Sequence, residues 1–78
     1  MHTKHEADEV WNAGLLACGE LIVLLAARFR TMRPGAVLRL ISLDPAAMED
    51  VPAWCRLTGH ELLGAEPPVY HIAKQKEN

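Results

Sequence analysis

Two cysteines are the residues of this 78-residue chain best suited to covalent chemistry, and their neighbours differ. Cys18 stands directly before Gly19-Glu20-Leu21, where a helical pattern opens. A thiol there meets unpaired backbone N–H groups and the positive end of the helix dipole, and both favour thiolate over thiol. The expectation is a nucleophile whose anion is held by the N–H groups of Gly19, Glu20 and Leu21. Glu20 opposes this, because a nearby carboxylate raises a thiol pKa. The plain alternative is a small buried hydrophobe, a common fate of free cysteine. Cys55 lies mid-helix beside Trp54 and reads as an inert core thiol rather than a resolving partner for Cys18.

Other polar residues offer less. His60 follows Gly59 at the start of a strand and reads as structural rather than as a general base. His2 and His5 occupy a polar tail without accompanying carboxylate geometry, so no metal site is expected. Asp44, followed by Pro45, reads as the N-cap of a second helix. Arg28, Arg30, Arg33 and Arg39 read as an exposed, solvated stripe.

These residues need elements to position them. Val10 and Trp11 suit a short strand over about 7–12. Leu21, Ile22, Leu25, Phe29 and Met32 recur at helical spacing and predict a helix over 19–32, stopped by Pro34-Gly35. Val23 and Leu24 point away from that stripe, which makes them a candidate docking or dimer surface near Cys18. Residues 36–43 form the best strand, with Leu38 and Leu40 on one face and Val37, Arg39, Ile41 and Leu43 on the other. Pro52 argues against one helix running from Pro45, so a turn at 45–48 and a helix over 49–58 are expected. Its inner face would carry Val51, Trp54, Cys55 and Thr58, and Gly59 would end it at positive φ. Strands over 60–65 and 69–74 follow, joined by a turn at Pro67-Pro68.

The pattern is β-α-β-α-β-β. It predicts an α+β two-layer sandwich: a four-stranded mixed sheet with two helices on one face. One domain is expected over 1–78, with its ordered core at 7–74 and tails at 1–6 and 75–78. Half of the residues are hydrophobic and the net charge is −2, so a core is feasible and a basic nucleic-acid-binding face is not expected. The longest apolar run falls far short of the ~20 residues that span a bilayer. Cytoplasm is the expected location, and two cysteines are too few for a disulfide scaffold.

Several spaced segments sit in the register of one family. These are Asp44-Pro45-Ala46, Asp50-Val51-Pro52, Trp54-Cys55 and His60-Glu61-Leu62, with Pro34-Gly35 and Cys18 behind them. Over about residues 9–74 the chain resembles the TusA/SirA family of small sulfur-carrier proteins. The resemblance implies that Cys18 is the cysteine of the CPxP motif and accepts a persulfide. It also implies a sulfurtransferase-like carrier with no cofactor. A protein sulfur donor, such as a cysteine desulfurase or rhodanese, would load it, and a protein acceptor would unload it. No direct nucleic-acid partner is implied, and the carrier would be a monomer or weak dimer. The pathway stays open: tRNA thiolation, cofactor synthesis, sulfur oxidation or redox regulation. Gly19 and Leu21 stand where the family has prolines, and Leu15 stands where it has glycine. A relaxed cysteine loop follows from Gly19. The competing class is therefore a non-catalytic interaction or regulatory module on the same fold.

Overall fold

Residues 7–76 are described by the computed structural model. Six elements follow in the expected order: β1 (Glu9–Gly14), α1 (Cys18–Thr31), β2 (Val37–Ser42), α2 (Ala47–Thr58), β3 (Glu61–Glu66) and β4 (Val69–Ala73). They build one mixed sheet ordered β1-β2-β4-β3. β1 runs parallel to β2, and β4 is antiparallel to both β2 and β3. His2, His5 and the rest of 1–6 lie outside the described residues, as do 77–78.

Alternation along the strands decides which side is covered. Leu38 opposes Ile72 and Leu40 opposes Tyr70, so these four share one sheet face. All four are buried, together with Leu21, Leu25 and Phe29 of α1 and Ala47, Val51, Trp54 and Cys55 of α2. Both helices therefore lie on that face, which makes the fold an α+β two-layer sandwich. Each large apolar side chain buried in this way contributes about 1.5–3 kcal/mol.

Three boundaries differ most from the sequence reading, and the other element ends lie within one residue of it. β1 runs two residues later than expected, and its register against β2 shifts between Asn12 and Gly14. Gly14 adopts φ 60°, and its N–H donates to Asn12 Oδ1 at 3.0 Å, which turns the chain toward α1. α2 starts at Ala47 rather than 49 and contains Pro52. Proline withholds only the bond to the Met48 carbonyl, and Met48 is exposed, so that cost is met by water rather than by the core. Gly59 ends α2 at φ 88°, as expected, and its N–H donates to the Cys55 carbonyl at 2.9 Å. The solvated tail expected from 75 does not begin there, since the Gln75 N–H donates to His60 Nδ1 at 3.0 Å.

Candidate functional site

Cys18 is the first residue of α1 and is 7% exposed. The residue before it, Ala17, is extended and offers no side-chain cap. The cap comes from another loop. Asp44 Oδ2 accepts the Cys18 N–H at 2.8 Å, while Oδ1 accepts the Ala46 N–H at 3.1 Å. The Leu43 N–H also donates to the Gly14 carbonyl at 2.8 Å. The loop after β1 and the loop after β2 are thus laced together beneath the cysteine. Asp44 is not the cap of α2, whose cap position is Ala46 without a side-chain bond. Pro45 has no N–H to offer, so Asp44 reaches past it to Ala46 and keeps its second oxygen for α1.

The electrostatics reverse the sequence expectation. Cys18 is pushed up from 9.0 to about 11, first by burial, then by a hydrogen bond to Asp50, then by the charges of Asp50 and Asp44. At neutral pH the thiol is protonated, because desolvation and two carboxylates outweigh the first turn of the helix. Glu20 is exposed and is not among those causes. The three N–H groups also divide. That of Leu21 donates to the Ala17 carbonyl at 2.8 Å and is unavailable to an anion. Those of Gly19 and Glu20 have no partner among the described residues.

The residues standing in place of the family prolines now have a physical reading. A proline at 19 would disfavour helical geometry at the residue before it, yet Cys18 is helical here. A proline at 21 would remove both the Leu21 N–H bond and a side chain that is fully buried. The helix therefore begins at the cysteine itself, and Leu21 anchors that turn to the core.

Cys55 is buried and held at about 11, by burial, with Arg56 opposing. It belongs to the core. His60 stacks against Phe29 and Trp54, with ring centroids at 4.7 and 5.1 Å, and accepts from Gln75. Burial, then the charge of Lys74, lower its pKa. It is structural, far from the cysteine in its contacts. Arg28 and Arg39 have different surroundings. Arg28 sits over the Trp11 ring and bonds Glu9 at 3.2 Å, whereas Arg39 lies on the uncovered sheet face and donates to His71 Nε2 at 3.1 Å.

Val23 is 65% exposed, and Leu24 is exposed beside a shallow groove lined by Glu9, Trp11, Ala27, Arg28 and Thr31. Leu15, Leu43 and Met48 are exposed too, on or beside the laced loops. Sequence reasoning missed Asp44 and Asp50 as partners of Cys18. The Asp44-Pro45 pair was visible, but only the fold shows which helix it serves. Among the described residues no cluster of three or more His, Cys, Asp or Glu could hold a metal, and no helix is long and apolar enough to cross a membrane.

Comparison with known proteins places the chain in a family. A family model described as "Sulfurtransferase TusA" matches residues 11–76. A Pseudomonas aeruginosa protein named "Sulfur carrier protein TusA" is 36% identical over 59 residues, covering 76% of this chain and 75% of its own. Proteins of the same name from Pseudomonas putida (36% over 61 residues, 78% of this chain and 76% of its own) and Pseudomonas entomophila (37% over 59 residues, 76% and 74%) are similar to it as well.

Proposed function

The chain belongs to the TusA sulfurtransferase family, and on that premise we propose that it carries sulfur as a persulfide on Cys18. The observation that supports this is the placing of Cys18 on the first turn of α1, its backbone fixed by Asp44. A donor protein presents a cysteine persulfide, and Cys18 Sγ attacks its terminal sulfur. The Sγ–S bond forms as the donor's S–S bond breaks, and the electron pair leaves on the donor's cysteine sulfur. The proton lost by Cys18 ends on that leaving sulfur. Cys18–SH and donor–S–SH thus become Cys18–S–SH and donor–SH, with no external oxidant or reductant. Transfer onward to an acceptor cysteine repeats the step in reverse.

Asp44 and Asp50 determine when this happens. Alone, the protein keeps Cys18 as a thiol and so protects it from stray electrophiles. A donor whose persulfide is flanked by basic side chains would neutralise those carboxylates on docking and release the thiolate. Exposed Leu15, Leu43 and Met48, with Val23 and Leu24 further along α1, would supply apolar contact. Cysteine desulfurases and rhodaneses are the donor classes to test, in the cytoplasm.

A second reading is supported by the same high thiol pKa, together with Gly19 and Leu21 at the proline positions: an interaction module that has kept the fold without transfer. One experiment separates them. The protein is incubated with a cysteine desulfurase and cysteine, and its intact mass is measured. Carriage predicts one added sulfur that dithiothreitol removes, present in Cys55→Ser and absent in Cys18→Ser. An adduct lost in Cys55→Ser but kept in Cys18→Ser sinks the assignment, and no adduct at all favours the interaction module.

A further inference from the structure

Two side-chain hydroxyls, those of Tyr70 and Ser42, are buried without a hydrogen-bond partner among the described residues. Tyr70 is 1% exposed and Ser42 2%. Leaving a buried hydroxyl unpaired costs about 1–3 kcal/mol, and native folds rarely tolerate it without a use. Neither position is incidental. Tyr70 sits in the central strand β4 opposite Leu40 of β2, on the face that α1 and α2 cover. Ser42 lies two residues beyond Leu40, so it is on that same inner face, at the end of β2 that leads to Asp44. Its N–H donates to the Pro68 carbonyl at 2.9 Å, which fixes the backbone while leaving the hydroxyl free to turn.

Tyr70 and Cys18 belong to one core cluster, and the charge of Cys18, after burial itself, helps to raise the tyrosine. Tyr70 and the two carboxylates are therefore unlike neighbours of the cysteine. Asp44 and Asp50 are acceptors only, and they disfavour negative charge on sulfur. Tyr70 and Ser42 can donate. A resting thiol needs no donor, being protonated, and that matches the idle hydroxyls. A persulfide is different: its sulfurs accept hydrogen bonds, and its terminal sulfur carries anionic charge more readily than a thiol does.

We propose that the Tyr70 hydroxyl, assisted by Ser42, is the buried donor that binds the sulfur carried on Cys18 and retains it until an acceptor docks. The inference rests on the carrier reading above and names the group that recognises the cargo. Tyr70 acts as a binding residue for the persulfide and takes no part in bond making. Its bond to sulfur forms on loading and is lost on unloading, so it distinguishes the two states of the protein.

The test uses the full chain loaded by a cysteine desulfurase with cysteine, comparing wild type, Tyr70→Phe and Ser42→Ala. The expected result is that wild type holds the added sulfur, while Tyr70→Phe loses it to a small thiol about tenfold faster, and Ser42→Ala loses it by a smaller factor. In the sulfur-free state Tyr70→Phe should melt at or above wild type, since only an unpaired hydroxyl is removed. Tyr70 is the sole tyrosine of the sequence, so tyrosine labelled with carbon-13 at Cζ alone gives one NMR signal. That signal should shift on loading in wild type and stay fixed in Cys18→Ser. Equal retention in wild type and Tyr70→Phe, or an unshifted tyrosine in loaded wild type, overturns the inference and leaves the carrier reading intact. A sulfur-free Tyr70→Phe that melts well below wild type also overturns it, because the hydroxyl then has a structural bond. Failure of wild type to take sulfur on Cys18 overturns both.

Discussion

At the C-terminal end of α1 the carbonyls of Phe29 and Met32 both accept from Lys74 Nζ, whereas at its N-terminal end the N–H groups of Gly19 and Glu20 meet no partner among the described residues. The contrast extends to the packing. Phe29 meets Trp54 edge to face with ring centroids 5.3 Å apart, and His60 closes the trio. Toward the Cys18 end there are two carboxylates acting on the thiol, the unpaired Tyr70 hydroxyl that the thiol in turn influences, and exposed Leu15, Leu43 and Met48. One end satisfies its polar groups and buries its aromatics, and the other leaves both kinds of group unfinished. A small domain with little stability to spare concentrates such departures where it meets a partner. The two cysteines repeat the comparison: Cys55 is held protonated by its apolar surroundings, Cys18 by acidic neighbours as well.

If the finished end anchors the fold, damage there has the largest effect. Trp54→Ala removes a side chain that contacts both Phe29 and His60, and should cost about 3–5 kcal/mol. That approaches the entire stability of a domain of this size. Urea titration should show the loss, and both cysteines should then be alkylated as rapidly as in the unfolded chain. A cost below about 1 kcal/mol would erase the distinction between the two ends.

Asp44→Ala tests the other end. It removes the acceptor of the Cys18 N–H and the bond that shapes the turn to Ala46, for a cost of about 1–2 kcal/mol. Asp44→Asn keeps one acceptor oxygen and should recover part of it. Denaturant midpoints of the three proteins give the ranking, and a loss in Asp44→Ala as large as in Trp54→Ala would mean that the cysteine loops carry the fold.

How far the sequence exposed these two ends differs in an instructive way. The core end was readable because apolar spacing states it directly: Leu21, Leu25 and Phe29 on α1, Val51, Trp54 and Cys55 on α2, Leu38 and Leu40 on β2. Element order and sheet class follow from the same periodicities. The cysteine position was readable only through spaced resemblance, and its electrostatics were not. Asp50 follows Cys18 by more than thirty residues, and no local rule brings the two together. Asp44-Pro45 looks like the start of the helix that follows it, and only tertiary contact shows that it caps the earlier one. β1 was misplaced by two residues because the irregular register at Asn12 and Gly14 breaks the alternation on which a strand assignment depends.

The pH dependence separates the two cysteines. Both have folded-state pKa values near 11, above the ordinary 9.0, so the folded state holds these protons more tightly than the unfolded chain. Their contribution to stability is complete below about pH 9 and is lost as pH rises toward 11. At pH 7 Cys18 is held as the thiol, so alkylation should be slow and should climb steadily with pH. Asp50→Asn should lower the Cys18 midpoint and speed its alkylation severalfold at pH 8, with Cys55 unchanged. Mass-resolved alkylation of Cys18→Ser and Cys55→Ser assigns each rate. Equal acceleration at both sites would show that Asp50 acts on the whole fold rather than on the thiol.

Gly19 gives the smallest effect and the finest discrimination. A Cβ built there meets nothing within 4 Å, so Gly19→Ala is sterically free. Alanine reduces the backbone entropy lost on folding, and the helix should gain about 0.5–1 kcal/mol. If the first turn is loose because glycine serves transfer, the variant should melt higher yet exchange sulfur more slowly. If glycine there is incidental, stability rises and the transfer rate stays the same. Gly19→Pro asks the harder question, since proline withdraws no hydrogen bond at this position but disfavours the helical backbone of Cys18. Restoring the family's first proline should therefore move the start of α1 past the cysteine, disturb the bond from its N–H to Asp44, and weaken the hold of the acidic pair on the thiol. A Cys18 alkylation profile that moves to lower pH in Gly19→Pro, but not in Gly19→Ala, would trace the high resting pKa to a helix that begins at the cysteine itself.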